Sequence, residues 1–135
     1  MDAFDPYAHA IAALALWAVV VPVLAAVSTR GRTSDRAPCG KPVRDYADPW
    51  YRRERAFANA VEISGPFVAA TVAAILAGAA PFWVNLLASL FIVLRVAMAA
   101  VHVMTENQPA RSAFWSLALL CVLGLAVLAL AGAFA

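Results

Sequence analysis

Apolar residues fill four long stretches of this chain, roughly 8–28, 56–78, 82–104 and 112–134. A helix of about 20 apolar residues crosses a hydrocarbon core about 30 Å thick, and each stretch reaches that length. The pattern therefore predicts four membrane-spanning helices. A polar segment, roughly 29–55, and two short links lie outside them, which leaves no room for a soluble catalytic domain.

The fourth stretch argues against the alternative of a water-soluble four-helix bundle, because such a bundle needs a polar face on every helix. Its side chains with any polar character are Ser112, Trp115, Ser116 and Cys121. Composition agrees, since 64% of the 135 residues are hydrophobic and 13% are charged, against about 45–50% and about 25% in a soluble domain. We predict an all-α integral membrane protein whose single four-helix domain spans residues 1–135.

Basic residues cluster in the polar segment between the first two stretches. Eight of the ten Lys and Arg residues lie between Arg30 and Arg55. Because cytoplasmic loops are rich in Lys and Arg, we predict that loop 29–55 is cytoplasmic and that both termini lie on the opposite side of an inner or plasma membrane. Contact with anionic lipid also explains such a run, whereas nucleic-acid binding is disfavoured because no aromatic–basic platform accompanies it.

The first stretch is expected to be a retained span rather than a signal peptide, since Asp2 and Asp5 precede it and no Lys or Arg does. Pro22 within it should kink the helix. The cysteines lie apart in sequence, at positions 39 and 121, so we expect no disulfide in a reducing cytoplasm. No spacing of Cys and His resembles a zinc site, and no metal is expected.

Ionisable residues inside the apolar stretches indicate where function is to be sought, because a charge near the bilayer centre costs about 2.5–3.5 kcal/mol. In the second stretch Arg55, Asn59 and Glu62 are spaced by four and three residues and share a helical face. In the third stretch Arg95 and His102 share another face. Both polar stripes approach the predicted cytoplasmic surface.

An ion pair between Glu62 and Arg95 is the arrangement we expect. Helical rise puts them about 6 Å apart in depth, a gap that a long Arg side chain can span. Two interpretations stay open: a buried pair that only fixes helix register, or part of a site. With Arg111, the stripes would form a basic recess suited to a small anion. Met98 is expected to be core filler and His102 an interfacial histidine.

These residues form a pattern that resembles the MAPEG family, the membrane-associated proteins in eicosanoid and glutathione metabolism, and within it the microsomal prostaglandin E synthases and glutathione transferases. The matching pieces are Arg55-Ala-x-x-Asn59-x-x-Glu62-x-x-x-Pro66-Phe67, Arg95-Val-Ala and Pro109-x-Arg111-Ser112. The resemblance as a whole covers roughly residues 48–130. The resemblance implies a homotrimer of four-helix protomers, with the cosubstrate glutathione bound between neighbouring protomers near the cytoplasmic face.

The resemblance also implies roles for single residues. Asn59 and Glu62 would hold the glutathione peptide, and Arg95 would support Glu62. Arg111 would face the glutathione sulfur, with Ser112 beside it. The residues so implicated are Arg111 and Ser112 in catalysis, and Arg55, Asn59, Glu62, Arg95 and His102 in glutathione binding.

Three positions depart from the family pattern and predict altered glutathione contacts. Ala58 stands where members have an Arg before the Asn, Met98 where they have a His, and His102 where they have a Tyr. The retained Arg111 and Ser112 nevertheless favour an enzyme.

Two functions from different classes follow. The first is a membrane-bound glutathione-dependent transferase or peroxidase that acts on hydrophobic, membrane-dissolved electrophiles. A nearby guanidinium would favour the glutathione thiolate, so the protein would need no nucleophile of its own. The alternative is a non-catalytic lipid-binding or scaffold subunit of a membrane assembly, which Ala58 and Met98 favour. A transporter is disfavoured, because four spans with few intramembrane charges leave little to form a pathway.

Overall fold

Four long α-helices account for most of the fold. A computed structural model describes residues 3–32 and 36–135. A short 3₁₀ helix, Asp5–Tyr7, leads into α1 (Ala8–Ser28), α2 (Pro49–Leu76), α3 (Pro81–Met104) and α4 (Gln108–Ala133). All four α-helices are long and apolar enough to cross a membrane. The predicted all-α, four-span architecture is confirmed.

The second helix begins at Pro49, not near residue 56 as the apolar pattern predicts. The Asp48 side chain accepts a 2.8 Å hydrogen bond from the Trp50 backbone N–H, and proline occupies the first helical position. Both features favour a helix start. The cap rather than hydrophobicity sets this boundary. Residues 49–55, expected in the loop, therefore form the first turns of α2.

The helices pack around a central pair, α2 and α3. Helix α1 packs on both from one side and α4 on both from the other. At the centre the rings of Phe67 and Phe91 stack with centroids 3.8 Å apart, and Trp17 meets both edge-on, an arrangement that aromatic quadrupoles favour. Arg95 lies next to this cluster, its Cζ atom 5.9 Å from the Trp17 ring.

Four hydrogen bonds hold the 3₁₀ helix and the first half of α1 against residues far away in sequence. They join Tyr7 Oη to Ala79 O (2.6 Å), Ala10 N to Asn85 Oδ1 (2.9 Å), Asn85 Nδ2 to Pro6 O (2.7 Å) and Trp17 Nε1 to Ser64 Oγ (2.9 Å). Polar groups in hydrocarbon need such partners because water is absent there. The bonds therefore fix α1 against α2 and α3.

Smaller expectations from the sequence concern the first helix, the cysteines and the outer helix faces. Helix α1 continues through Pro22 as one α-helix, while Asp2, used in the argument for a retained span, lies outside the described residues. Cys39 is exposed in the loop and Cys121 is buried in α4, and both are free thiols. Large apolar side chains lie exposed along the outer helix faces, as expected for a protein in a lipid environment.

Candidate functional site

A cavity of about 330 Å³ opens between α2, α3 and α4. This volume is at the lower end of the range for ligand pockets. It is lined by Arg55, Asn59 and Glu62 of α2, Met98 of α3, and Arg111, Ser112 and Trp115 of α4. Five of the seven site residues expected from the sequence therefore line one cavity.

The start of α4 places Arg111 and Ser112 at this cavity. The Asn107 side chain caps the helix by accepting a 3.0 Å hydrogen bond from the Ala110 N–H, and Pro109 fits the first turn, where its missing N–H costs nothing. The Arg111 N–H donates to the Asn107 carbonyl (3.2 Å). Both residues consequently lie in the first turn or just beyond it, at the positive end of the helix dipole.

The expected ion pair between Glu62 and Arg95 is wrong. Among the described residues the Glu62 carboxylate lies 3.7 Å from the Arg55 guanidinium, two turns earlier on the same helix. The Glu62 side chain is 61% exposed in the single protomer, so it forms no buried ion pair with Arg95. Depth along the membrane suggested the pairing, but rotation about the helix axis decides it.

Arg95 instead lies behind the cavity wall, with 3% of its surface exposed. It donates a 2.8 Å hydrogen bond from Nη2 to the Asn59 backbone oxygen, and its Nη1 lies 3.2 Å from the Met98 sulfur. Both acceptors belong to residues that line the cavity. Arg95 therefore supports Asn59 and Met98 rather than Glu62. Met98 is buried, as expected of core filler, and also borders the cavity.

His102 is fully buried in the last turn of α3, near the helix end, and its expected interfacial position in the membrane stays a prediction. Its ring lies 5.6 Å from the ring of Tyr46, a loop residue that covers this end of α3. Neither ring nitrogen has a hydrogen-bond partner among the described residues. His102 does not line the cavity, and a direct contact with glutathione stays a prediction.

Trp115 and Tyr46 are the site residues that the sequence did not reveal. Trp115 lies three residues after Ser112 and so shares its helical face, a spacing that could have identified it. Tyr46 carries no such signal, since it lies in an irregular segment. Its ring nevertheless contacts Arg111, whose Cζ atom is 5.4 Å from the ring centroid.

The charges around the cavity favour an anionic ligand. Two guanidinium groups, those of Arg55 and Arg111, and one carboxylate, that of Glu62, line it. The buried guanidinium of Arg95 adds a further positive charge behind the wall. A negatively charged molecule with hydrogen-bonding groups along its length would fit this arrangement.

The fold and the cavity together define a multi-pass helical membrane protein with a cationic recess at one end of its helix bundle. The model of the MAPEG family matches the chain over residues 7–131, and the protein belongs to that family. The match confirms the resemblance seen in three short motifs. Comparisons with curated proteins and with solved structures give no match.

Proposed function

We propose that this protein is a membrane-bound glutathione-dependent transferase or peroxidase that acts on hydrophobic electrophiles. One observation carries the proposal: Arg111 and Ser112, at the start of α4, line the same cavity as Arg55, Asn59 and Glu62 of α2. Membership of a family that includes glutathione transferases supports it.

The cavity's charges complement those of glutathione. At neutral pH the tripeptide carries two carboxylates and one ammonium group, whereas the cavity presents two guanidinium groups and one carboxylate. Glu62 would accept hydrogen bonds from the ammonium group, and Arg55 would donate to a carboxylate. The Asn59 side chain would bind the peptide amides. The residues present therefore fit this cosubstrate.

Arg111 would act on the sulfur. A free thiol with a pKa of about 8.5 is mostly protonated at neutral pH, and an adjacent guanidinium favours the thiolate. The N-terminal end of α4 contributes in the same direction, and the Ser112 hydroxyl can donate to the sulfur. The thiol proton passes to water, the sulfur electron pair forms the bond to the electrophilic carbon, and the leaving group departs with its bonding electrons.

The assembly proposed with this activity is a homotrimer with glutathione bound between neighbouring protomers. In one protomer the side chains of Glu62 and Arg55 are 61% and 35% exposed, although they lie on a membrane-spanning helix. Ionised groups do not face hydrocarbon without cost, and a neighbouring protomer would shield them. The basic loop would lie in the cytoplasm and both termini on the opposite side.

A second candidate is a non-catalytic lipid-binding or scaffold subunit. Met98 favours it, because this residue borders the cavity at the position where the family pattern has a histidine. A thioether is a weak hydrogen-bond acceptor and offers no N–H donor to a ligand.

Ultraviolet difference spectroscopy of purified protein separates the two candidates. Thiolate absorbance should appear when glutathione is added to wild type and should be absent in Arg111→Ala, which should still bind the non-ionisable analogue S-methylglutathione. If wild type binds no glutathione at millimolar concentration, the enzyme proposal fails. Equal thiolate in both proteins would remove Arg111 from the mechanism.

A further inference from the structure

The Tyr46 side chain joins three helices at the back of the site. Its ring lies 5.4 Å from the Arg111 guanidinium of α4, 5.6 Å from the His102 ring of α3 and 6.5 Å, edge-on, from the Tyr51 ring of α2. A guanidinium within about 6 Å of an aromatic centroid is attracted by the ring quadrupole. Tyr46 is thus the loop residue that contacts the side chain proposed to face the sulfur.

The segment that carries Tyr46 is firmly attached to the helices. Arg52, itself buried, donates 2.9 Å hydrogen bonds to the carbonyl oxygens of Tyr46 and Ala47, and its guanidinium lies 3.4 Å from the Glu106 carboxylate. The Asp45 side chain accepts a 2.9 Å bond from the Ala47 N–H. The backbone that carries the Tyr46 ring is therefore fixed by contacts that do not involve Arg111.

Tyr46 holds Arg111 without cancelling its charge. Among the described residues no carboxylate lies within ion-pair distance of Arg111, whereas Arg52 and Arg55 each have one. A carboxylate partner would also fix the guanidinium, but it would offset the positive field that a thiolate needs. An aromatic face carries no net charge, so the full charge of Arg111 stays available to an anion in the cavity.

We propose that Tyr46 is a positioning residue that orients the Arg111 guanidinium toward the cavity while leaving its charge uncompensated. The consequence for chemistry rests on the proposed function, since it concerns the glutathione thiolate. The Tyr46–Arg111 contact does not depend on the proposed function, and it can be tested without glutathione.

The ring, not the hydroxyl, carries the effect. Tyr46 Oη is buried and has no hydrogen-bond partner among the described residues. Tyr46→Phe should therefore behave as wild type, whereas Tyr46→Leu removes the π face. Pentafluorophenylalanine at position 46 is the sharpest variant, because it keeps the aromatic shape and reverses the quadrupole. Tyr51→Leu is a matched control that removes a ring contacting Tyr46 but leaves Tyr46 in place.

The first measurement uses ligand-free protein in detergent. Modification of each arginine by phenylglyoxal is followed by peptide mass spectrometry, with Arg55 as the internal reference. Loss of a cation–π contact should raise the Arg111 rate about two- to fivefold in Tyr46→Leu and in the pentafluorophenylalanine protein. Tyr46→Phe and Tyr51→Leu should match wild type. An unchanged Arg111 rate in the pentafluorophenylalanine protein, which keeps the fold, would overturn the proposal.

The second measurement adds glutathione and separates binding from ionisation. The pentafluorophenylalanine protein should bind S-methylglutathione as wild type does, yet form less thiolate with glutathione at the same saturation. If Tyr46 had only a structural role, both S-methylglutathione binding and thiolate formation would weaken. That result would contradict the proposal that Tyr46 orients Arg111. If wild type itself binds no glutathione while the labelling pattern holds, the proposed function fails and the Tyr46–Arg111 contact stands.

Discussion

Arg95 of α3 donates a 2.8 Å hydrogen bond to the backbone oxygen of Asn59 on α2. The bond joins the two central helices directly behind the cavity wall. Because its acceptor is a neutral carbonyl, it satisfies a donor of the guanidinium but leaves the positive charge in place. Arg95 therefore has two effects, helix attachment and a positive field behind the wall, that single substitutions can separate.

Arg95 and Glu62 should contribute to stability independently. Arg95→Gln removes a charge-assisted bond to Asn59 and should lower the unfolding temperature in detergent, since such bonds contribute about 1.5–3 kcal/mol. Glu62→Gln should have a small effect, because its contact with Arg55 is partly exposed. The double variant should lose nearly the sum of both, with a coupling energy below about 1 kcal/mol, because the two charges attract each other without a direct contact. A clearly smaller loss in the double variant would show that the two charges pair after all.

Glu62 should recognise the ammonium group of glutathione. Glu62→Gln should weaken glutathione binding about tenfold or more, as expected for loss of a charge-assisted hydrogen bond. Isothermal titration calorimetry with glutaryl-cysteinyl-glycine, which lacks the ammonium group, provides the control. The variant should bind this analogue as wild type does. Equal weakening for both ligands would assign Glu62 a structural role instead.

Asp48 should set the start of α2. Asp48→Ala removes the cap that accepts from the Trp50 N–H and should cost about 1 kcal/mol. Hydrogen exchange of the amides in residues 49–55 should accelerate, whereas exchange in the rest of α2 should stay slow. Asp48→Asn retains the cap and is the matched control. Uniform acceleration along α2 would mean that the cap is not a local determinant.

The loop's orientation can be tested with the native cysteines. Cys39 is exposed in the loop, while Cys121 is buried in α4 and should not react. In intact cells a membrane-impermeant maleimide should leave the protein unlabelled, and inverted vesicles should be labelled at Cys39. Cys39→Ser should abolish the signal. Labelling of Cys39 from the outer side of sealed cells would reverse the proposed topology.

The architecture was predictable because hydrophobicity alone decides which segments enter a bilayer. The start of α2 was not predicted, because the decisive contribution is a single hydrogen bond from Trp50 to the Asp48 side chain. Hydropathy does not register such a bond. The family was recognisable for a different reason, since several polar residues keep fixed spacings on α2 and α4.

The site was predictable only in part. Arg55, Asn59 and Glu62 follow helical periodicity, so their shared face could be derived from the sequence. The contacts of each side chain could not be derived from the sequence, because rotation about the helix axis and loop packing decide them. Arg95 faces the Asn59 carbonyl because of the rotation of the helices about their axes. His102 lies beneath Tyr46 because of loop packing, and no spacing rule connects a loop tyrosine to α3.

The bonds that fix α1 set a limit on the order in which the protein can be assembled. The partners of Tyr7, Ala10 and Trp17 are Ala79, Asn85 and Ser64, all of them later in the chain. None of these contacts can form until its later partner has been synthesised and has entered the membrane. The contacts of Tyr7 with Ala79 and of Ala10 with Asn85 therefore form only after the beginning of the third helix has joined the first.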